Sequence, residues 1–527
     1  MTKLTRATLI VAVSFGLDKI LAIVRSLIIA RQFGLTATLD VFNVANNVPD
    51  LLFALISGGA LAMAIIPVLS EVLTKKGRDV SWQVFSRIAN LAFLVTAGLS
   101  LIVAVFADIL VRSPFGIAPG FNAAQQTLVV SLMRLDLIGT LIFSMAGLLI
   151  AGLQANQHFL MPALAPILYN LGQIFGAVVL APNKGYTIAG ISLPAYGLGV
   201  YGLVYGVLIG SALFFLIQIP ALIAYQFKWV PSFDIHNPDV RKILVMLGPR
   251  VAGMFFYQLT FIARDNIASH LTQGAVTALT YGWMIQQVPE TLIGTALGTA
   301  LLPTISEQFA REEYEKFKTT LVRVVRVIIA LALPATVILA VALPPLLSLA
   351  FKWDSAAIDL LTWTTRAFLV GLLGHCLLEL GSRTFFAQQN AKTPLIGSVL
   401  NLVIYVCFGL IFSQLLGAAG LGISDSLAFS LEALFLLIMI AVQIQRTKKN
   451  EGISLSLIKV FFNQSEINLT LLRTLIGSLL GGVVVFLSMQ FFSSRISGMI
   501  STSISLILGI TITLPFIWKE LRLALRL

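Results

Sequence analysis

Residues 48–71 read VPDLLFALISGGALAMAIIPVLSE, and residues 288–307 read VPETLIGTALGTALLPTISE. Each stretch predicts an apolar helix with one proline near its middle, a second proline near its end, and a Ser-Glu exit. The two copies lie 240 residues apart. A duplicated, proline-broken helix in an apolar chain is typical of a transporter built from two repeats.

The composition of the surrounding chain supports a membrane protein. Hydrophobic residues make up 58% of the 527 residues and charged residues 11%, with a mean hydropathy of +0.94. Charged residues normally make up about a quarter of a soluble protein. The net charge of +12 lies mostly in loops. There it acts as a topology signal, and we expect no nucleic-acid partner.

Apolar stretches of about 20 residues predict an all-α polytopic protein with about fourteen transmembrane helices. These are 8–31, 38–67, 86–110, 127–152, 159–182, 195–225, 243–270, 276–304, 320–350, 357–387, 394–415, 418–444, 470–490 and 496–518. Lys and Arg cluster in every second loop, from Lys3 at one terminus to Arg526 at the other. The positive-inside rule therefore places both termini in the cytoplasm.

The repeat begins again at the seventh span, so each copy has six spans and both enter the membrane in the same direction. The sequence predicts two parallel six-helix repeats. We expect an N-lobe over residues 1–226 and a C-lobe over 227–445. A cytoplasmic linker and two extra spans fill 446–527, and part of that linker, 446–468, has the pattern of an amphipathic surface helix. A second echo supports the repeat, since Asn170 after Gln154-Ala155-Asn156 resembles Asn401 after Gln389-Asn390.

The first span carries two cations at membrane depth, Lys19 and Arg25, beside Asp18. An ionisable residue within a span usually faces a cavity or a partner. These cations either line one cavity together or pair with Asp18 and Asp40, snorkelling towards the membrane surface. Both readings stay open on the sequence alone.

The second span combines a polar face with a predicted bend. Asp40, Asn43 and Asn47 fall on one helix face, as a hydrated wall or as interhelical glue. Pro49 removes a backbone hydrogen bond, and the pair Gly58-Gly59 follows, so the helix can change shape between two transport states.

The seventh and eighth spans supply the candidates of the second repeat, which are Arg264, Asp265 and Pro289. Because adjacent residues point about 100° apart on a helix, we expect Arg264 and Asp265 to find separate partners. Pro289 repeats the bend of Pro49.

The chain lacks the signatures of several other classes of protein. Cys376 and Cys407 have no metal-ligand spacing, and the four histidines are scattered, so we predict no metal site and structural roles for the histidines. There is no P-loop and no polar segment long enough for a catalytic domain. We therefore expect neither a cofactor nor enzymatic activity.

Four segments together resemble the MurJ/MviN family of lipid II flippases, in the multidrug/oligosaccharidyl-lipid/polysaccharide exporter superfamily. They are VRSLIIARQFG at 24–34 with Asp40 and Pro49, GLQANQHFLMPALAPILYNLG at 152–172, PETLIGTALGTALLPTIS at 289–306 and RTFFAQQNAKTP at 383–394. The resemblance covers nearly the whole chain. It implies fourteen spans, two lobes forming a V and a central cationic cavity, in which the family's first-span cations correspond to Lys19 and Arg25.

The chain also departs from that family at several positions. An arginine usual in the second span corresponds to Phe53, a nearby acid to Gly58, and an Asp-Arg pair in the eighth span to Trp283-Met284. The acids of a sodium site correspond to Arg264 and Tyr405, so that site is in doubt. We expect Arg264 to return a positive charge, and Arg264→Ala to abolish function as fully as Arg25→Ala.

The leading hypothesis is therefore alternating-access flipping of an undecaprenyl-pyrophosphate-linked peptidoglycan precursor at the bacterial inner membrane, for cell-wall biogenesis and cell shape. Lys19, Arg25 and Arg264 bind the pyrophosphate, and the protein acts as a monomer near peptidoglycan-synthesis proteins. One alternative is a flippase for another polyprenyl-linked oligosaccharide. The other is a membrane scaffold without transport activity.

Overall fold

The computed structural model describes residues 3–56, 59–188, 190–447, 465–493 and 495–525. Gly58 and most of the proposed amphipathic segment 446–468 lie outside these residues. The described chain is helical apart from a two-stranded hairpin, Thr187–Ile188 with Ile191–Ser192. It divides into two compact units, Met1–Gly274 and Ala275–Leu527.

The helices of the first unit follow the predicted spans closely. They are α1 (Lys3–Phe33), α2 (Ala37–Ile56), α3 (Gly59–Lys76), α4 (Arg78–Arg112), α5 (Ala123–Ala155), α6 (Leu160–Phe175), α7 (Val200–Leu216), α8 (Ile219–Ala224) and α9 (Pro238–Ala268). A π-helical turn, Gly176–Leu180, extends α6.

The second unit continues the series. Its helices are α10 (Ala275–Glu290), α11 (Ala296–Ala310), α12 (Tyr314–Phe351), α13 (Ser355–Val370), α14 (Leu372–Ala387), α15 (Lys392–Leu416), α16 (Ala418–Thr447), α17 (Ser465–Ser493) and α18 (Gly498–Ala524). A π-helical turn, Thr291–Thr295, joins α10 to α11.

Length and apolar composition make this a multi-pass membrane protein. Among the described residues, 11 helices are long and apolar enough to cross a membrane, or 12 if the pair α13–α14, bent by 44°, forms one span. The two remaining predicted segments coincide with α1 and α9, which are helices of 31 residues each. Both carry ionisable residues along their length. The total of fourteen spans stays a prediction.

Corresponding helices pair in the same way in the two units, as a parallel repeat requires. In the first unit α5 packs against α2, α3, α4 and α7, and α6 packs against α7. In the second unit α13 and α14 pack against α10, α11, α12 and α16, and α15 packs against α16. The first helix of each copy differs, because α1 packs against α6 whereas α9 packs against α2, α3 and α4.

Both copies of the proline-rich stretch are helical with prolines inside the helices, as the sequence predicts. Pro49 lies inside α2 and Pro67 inside α3, and residues 57–58 between these helices lie outside the described chain. In the second copy Pro289 lies inside α10 and Pro303 inside α11, with the π-helical turn between them. A proline inside a helix removes one backbone hydrogen bond and costs about 3 kcal/mol, so each copy has a built-in weak point.

Small residues let helices approach closely within the first unit. A Cβ added to Gly172 on α6 would lie 2.4 Å from the Cα of Gly210 on α7, and one added to Gly176 would lie 2.5 Å from the Cα of Gly206. Glycine stripes of this kind are typical of packed helices in membranes, where close backbone contact replaces the hydrophobic effect.

The two extra helices are fastened to α12 through a buried carboxylate. Glu520 on α18 is fully buried and accepts hydrogen bonds from Arg326 on α12 (3.0 Å) and from Thr470 on α17 (2.9 Å). Arg473 on α17 also pairs with Glu520, and Arg326 pairs with Glu466. Two arginines and two glutamates thus neutralise one another, which lets the cluster stay in an apolar setting.

Candidate functional site

The cation Arg25 is held by a neutral side chain. Its Nη1 donates to Oδ1 of Asn170 on α6 at 3.0 Å, and Nδ2 of Asn170 donates to Oδ1 of Asp18 at 2.8 Å. Asn170 is buried, whereas Arg25 is half-buried. Among the described residues Arg25 forms no ion pair within 4 Å, and Asp50 acts on it only at longer range. The guanidinium therefore keeps most of its donors for another ligand.

Lys19 lies on a different face of α1 from Arg25. Its side chain is exposed, and its Nζ lies 5.2 Å above the ring of Phe15. Asp18, the neighbour that could have neutralised it, accepts from Asn170 instead. The structure thus places both first-span cations on one helix but gives them different contacts.

The polar face of α2 makes contacts with α9 and the residues that follow it. Asp40 is buried, and its Oδ2 accepts from the backbone N–H of Gly274 at 2.6 Å. One turn along, Asn43 is half-buried, and a further turn along Nδ2 of Asn47 donates to Oδ2 of Asp265. This face therefore connects helices, as the glue reading proposed, and it does so between polar groups that can separate.

The expectation that Arg264 and Asp265 find separate partners is wrong. Nε and Nη2 of Arg264 each lie 3.0 Å from Oδ1 of Asp265, and the guanidinium also lies 5.0 Å from the ring centroid of Phe261. Arg264 is 7% exposed and Asp265 is 0% exposed. In a low-dielectric setting neighbouring charges bend their flexible side chains towards each other, because an unpaired buried charge is costly. Arg264 is thus neutralised where it lies.

Phe53, at the position of the family's second-span arginine, belongs to an aromatic cluster. Its ring centroid lies 4.6 Å from that of Phe143, which in turn lies 4.6 Å from Tyr169 and 4.4 Å from Phe214. Aromatic packing has taken the place of a charge here.

Both ends of α9 contact other parts of the first unit. At the end predicted to lie outside, Nδ2 of Asn266 donates to the backbone oxygens of Pro114 (3.0 Å) and Gly116 (2.5 Å), and Oγ of Ser269 accepts from the N–H of Gly120 at 3.0 Å. The loop between α4 and α5 is therefore held by the last turn of α9.

At the end predicted to be cytoplasmic, ion pairs join α9 to α3. Lys76 pairs with Asp239 at 2.7 Å, and Glu71 pairs with Lys242 and Lys75 at 2.8 Å each. Hydrogen bonds from Lys242 and Lys75 lower the pKa of Glu71 to about 2. Glu71 is the glutamate of the Ser-Glu pair that ends the repeated motif. In this copy the end of the motif therefore forms an ion pair with α9.

The second unit holds the remaining candidates. Pro289 is buried inside α10, and Glu290 after it accepts from Oγ1 of Thr295 at 3.3 Å. Gln286 is fully buried with no hydrogen-bond partner on either amide atom within the described chain. In the part of the chain that the structure describes, no group of three or more His, Cys, Asp and Glu residues could hold a metal ion.

Asn170 is the site residue that the analysis of the sequence did not select. In the sequence Asn170 stood out only because it matches Asn401 in the other copy of the repeat. An amide at membrane depth between two prolines and a glycine is nevertheless an unusual feature. The position of Asn170 in the repeated motif was the available signal. Its role depended on the packing of α6 against α1, which the sequence did not show.

Comparison with known proteins identifies the family of this chain. The profile described as "Lipid II flippase MurJ" matches residues 29–517. The chain belongs to the MurJ family. A "Lipid II flippase MurJ" from Burkholderia cenocepacia is 29% identical over 444 residues, covering 82% of this chain and 83% of the relative. A "Probable lipid II flippase MurJ" from Vibrio cholerae is 25% identical over 440 residues, covering 81% of each chain.

Solved structures show the same fold. "Lipid II flippase MurJ, inward closed conformation" aligns with a TM-score of 0.72 at 19% identity, covering 96% of this chain and 98% of that one. An "inward-facing conformation of a multidrug resistance MATE family transporter of the MOP superfamily" aligns with a TM-score of 0.66 at 16% identity, covering 84% of this chain and 100% of that one. The resemblance to the MurJ fold is therefore confirmed. The arrangement of the lobes stays a prediction.

Proposed function

We propose that this chain is a flippase that moves lipid II, the undecaprenyl-pyrophosphate-linked peptidoglycan precursor, across the cytoplasmic membrane by alternating access. The family match over residues 29–517 supports the class of activity. The observation within the structure that supports the substrate is Arg25, a membrane-depth cation held by the neutral amide of Asn170.

The physical demand explains why such a cation is needed. A pyrophosphate cannot cross hydrocarbon without a polar path, since every unsatisfied polar group there costs several kcal/mol. Arg stays charged at all physiological pH values and binds phosphate oxygens through two parallel N–H groups. Within the described chain Arg25 bonds to Asn170 through Nη1, which leaves a pair of its other donors for a phosphate.

Arg25, Lys19 and Arg264 differ in how many of their donors are available to bind a phosphate. Arg25 binds the pyrophosphate first, with Lys19 as a second, exposed charge on the same helix. Arg264 is paired with Asp265 in this structure. It therefore contributes its charge to the pyrophosphate only after the ion pair with Asp265 breaks. Asn47, which also holds Asp265, is a ready partner for that carboxylate after the exchange.

The polar contacts of α2 act as the gate in this proposal. Asp40 bonds to Gly274 after α9, and Asn47 bonds to Asp265 on α9; both hydrogen bonds break in this proposal as α2 bends at Pro49. Gly59 begins α3, and Pro289 supplies in α10 the weak point that corresponds to Pro49. Gly58 completes the proposed gating set.

The same proposal fixes the setting of the protein. No covalent bond is made or broken, so the chain works as a transporter and not as an enzyme. Both termini are cytoplasmic, the protein is a monomer in the inner membrane, and peptidoglycan-synthesis proteins act on its substrate on either side.

Reconstitution in vesicles with fluorescent lipid II tests the substrate. We expect flipping of lipid II by the wild type and a strong loss in Arg25→Ala, with Arg25→Lys intermediate. Phe53, where the family has an arginine, favours a second candidate, which is flipping of a different polyprenyl-linked oligosaccharide. Flipping only of such a glycan supports that candidate. Flipping of neither lipid contradicts both and leaves a scaffold.

A further inference from the structure

The second unit contains a buried acid–base pair at a helix bend. Nε2 of His375 on α14 lies 2.9 Å from Oδ2 of Asp425 on α16, and the two side chains are each 9% exposed. The imidazole stacks on Phe429 with 4.0 Å between ring centroids and 16° between planes. Ionisable groups in membrane-spanning helices are expensive and usually functional, and Asp and His chains are typical of proton relays.

The pair lies beside the break between α13 and α14, which meet at an angle of 44° around Gly371. Oγ of Ser426 on α16 donates to the backbone oxygens of Ala367 (2.6 Å) and Phe368 (3.3 Å) in the last turn of α13. A Cβ added to Gly371 would lie 2.6 Å from the Cα of Ser426. His375 lies on α14 one helical turn after Gly371. The break, the serine and the pair therefore form one joint.

Few other charges face this joint. Glu290 on α10 interacts electrostatically with His375 and Glu379, and Glu379 pairs with Arg383 on α14 itself. Glu432 follows Asp425 two turns further along α16 and is buried. Further charges on the described parts of the other packed helices are exposed or have contacts of their own: Arg366 of α13 donates to the Ala340 oxygen near the exposed Asp359, Arg326 of α12 binds Glu466 and Glu520, Arg323 is exposed, Arg311 after α11 pairs with Glu307, and Lys392 of α15 is exposed.

Simple charge counting shows what a proton does here. A carboxylate only accepts hydrogen bonds, so Nε2 of His375 donates to Asp425 and Nδ1 is the atom that takes up a proton. Uptake changes the pair from one net negative charge to an ion pair with none. It also strengthens the hydrogen bond, because the donor then carries a positive charge in addition to the negative charge of the acceptor. The α14–α16 contact next to the break therefore depends on whether the proton is bound.

We propose that the His375–Asp425 pair is a proton-binding site that couples lipid flipping to proton movement by biasing the bend between α13 and α14. The inference rests on the proposed flippase activity. It assigns the coupling to the second unit, whereas the pyrophosphate contacts lie in the first. A local protonation acting on a bistable joint is an established kind of switch.

The test uses vesicles with fluorescent lipid II, a membrane potential clamped at zero by potassium and valinomycin, and an imposed pH difference. We expect the wild-type flipping rate to change about fivefold or more with the pH difference, the lower end of ordinary coupling. His375→Gln keeps an amide donor for Asp425 but takes up no proton, so it should flip without responding to pH. His236→Gln, in an exposed loop, is the matched control and should respond as the wild type does.

The outcomes separate the two proposals. Flipping without a pH response in the wild type, or a full response in His375→Gln, overturns the proton site and leaves the flippase intact. Absence of flipping under every condition overturns the flippase.

The site is then decided by ¹⁵N-histidine spectra of the full chain, which contain only four imidazoles. We expect the His375 signal to change its protonation state over the same pH range in which the flipping rate responds. One constant state over that range would overturn the site even if the variant fails to fold.

Discussion

The first helices of the two repeats, α1 and α9, carry arginines in very different settings. Arg25 on α1 is half-buried and bound by the neutral Asn170. Arg264 on α9 is buried and paired with Asp265, its neighbour in the chain. The helices also pack differently, since α1 lies against α6 while α9 lies against α2, α3 and α4. Duplication preserved the helix but not its electrical role.

This difference shows that a membrane-depth cation can be either available or neutralised, and only its contacts decide which. A neutral amide orients a guanidinium without cancelling its charge, whereas a carboxylate cancels it. The comparison makes α1 the natural pyrophosphate helix and α9 the helix that must first give up an internal partner. The following experiments test that distinction.

Removing Asp265 should have the largest effect. Asp265→Ala leaves the guanidinium of Arg264 and the amide of Asn47 buried without their acceptor. Breaking a buried ion pair on one side costs about 3–5 kcal/mol, so we expect a large fall in the thermal midpoint in detergent. Asp108→Ala, which removes a carboxylate that is 52% exposed and paired with Arg112 and Arg134, is the control. Equal stability of the two variants would contradict the neutralised state of α9.

Removing Arg25 should reduce transport next most strongly. Hydrogen bonds to charged groups contribute about 1.5–3 kcal/mol, so Arg25→Ala should flip lipid II about 10- to 100-fold more slowly without a matching loss of stability. Arg112→Ala, outside the proposed site, should flip normally.

The double variant Arg264→Ala/Asp265→Ala then asks whether α9 also contributes a charge. It removes both members of the pair and so avoids an unpaired buried ion. We expect it to fold and to flip slowly, because the second cation is gone. Flipping at the wild-type rate would reduce Arg264 to a structural partner of Asp265 and leave the pyrophosphate to α1.

Changing the amide that holds Arg25 should have a moderate effect. Asn170→Ala removes one hydrogen bond, worth about 1 kcal/mol, and should slow flipping several-fold. Asn170→Asp places a carboxylate beside Arg25 and should slow it more, by giving α1 the neutralised state of α9. Asn183→Ala, in an exposed loop, serves as control. A faster Asp variant would show that the neutral charge of Asn170 is unimportant.

The smallest effect concerns the exposed contact between α3 and α9. The pKa of Glu71 is lowered from 4.5 to about 2 by Lys242 and Lys75. A lowered pKa contributes stability above the ordinary value and loses it as the pH falls towards the folded one. The difference in thermal midpoint between wild type and Glu71→Gln should therefore be constant down to about pH 5 and shrink below it. Glu307→Gln is the control in the second copy. A difference that grows on acidification would contradict the pairing.

The sequence revealed the architecture because its signals are local. Prolines at 49, 67, 289 and 303 mark weak points of helices in any context, and apolar length predicts spans. The partners of single side chains were beyond reach. The pairing of Arg264 with Asp265 depends on rotamers and on the absence of water, and the role of Asn170 depends on α1 packing against α6. The repeat assigns α9 to the second copy. It therefore could not predict that α9 packs against α2 and α3 of the first copy.

The buried carboxylate of Glu520 also limits how this chain could be shortened. A version ending before Ser465 loses Glu466, Thr470, Arg473 and Glu520 together, and Arg326 on α12 then faces lipid as a lone guanidinium. The last two helices are therefore no detachable appendage, even though the repeat is complete without them. Any ancestral twelve-helix form must have had a different residue at position 326, or a different partner for it.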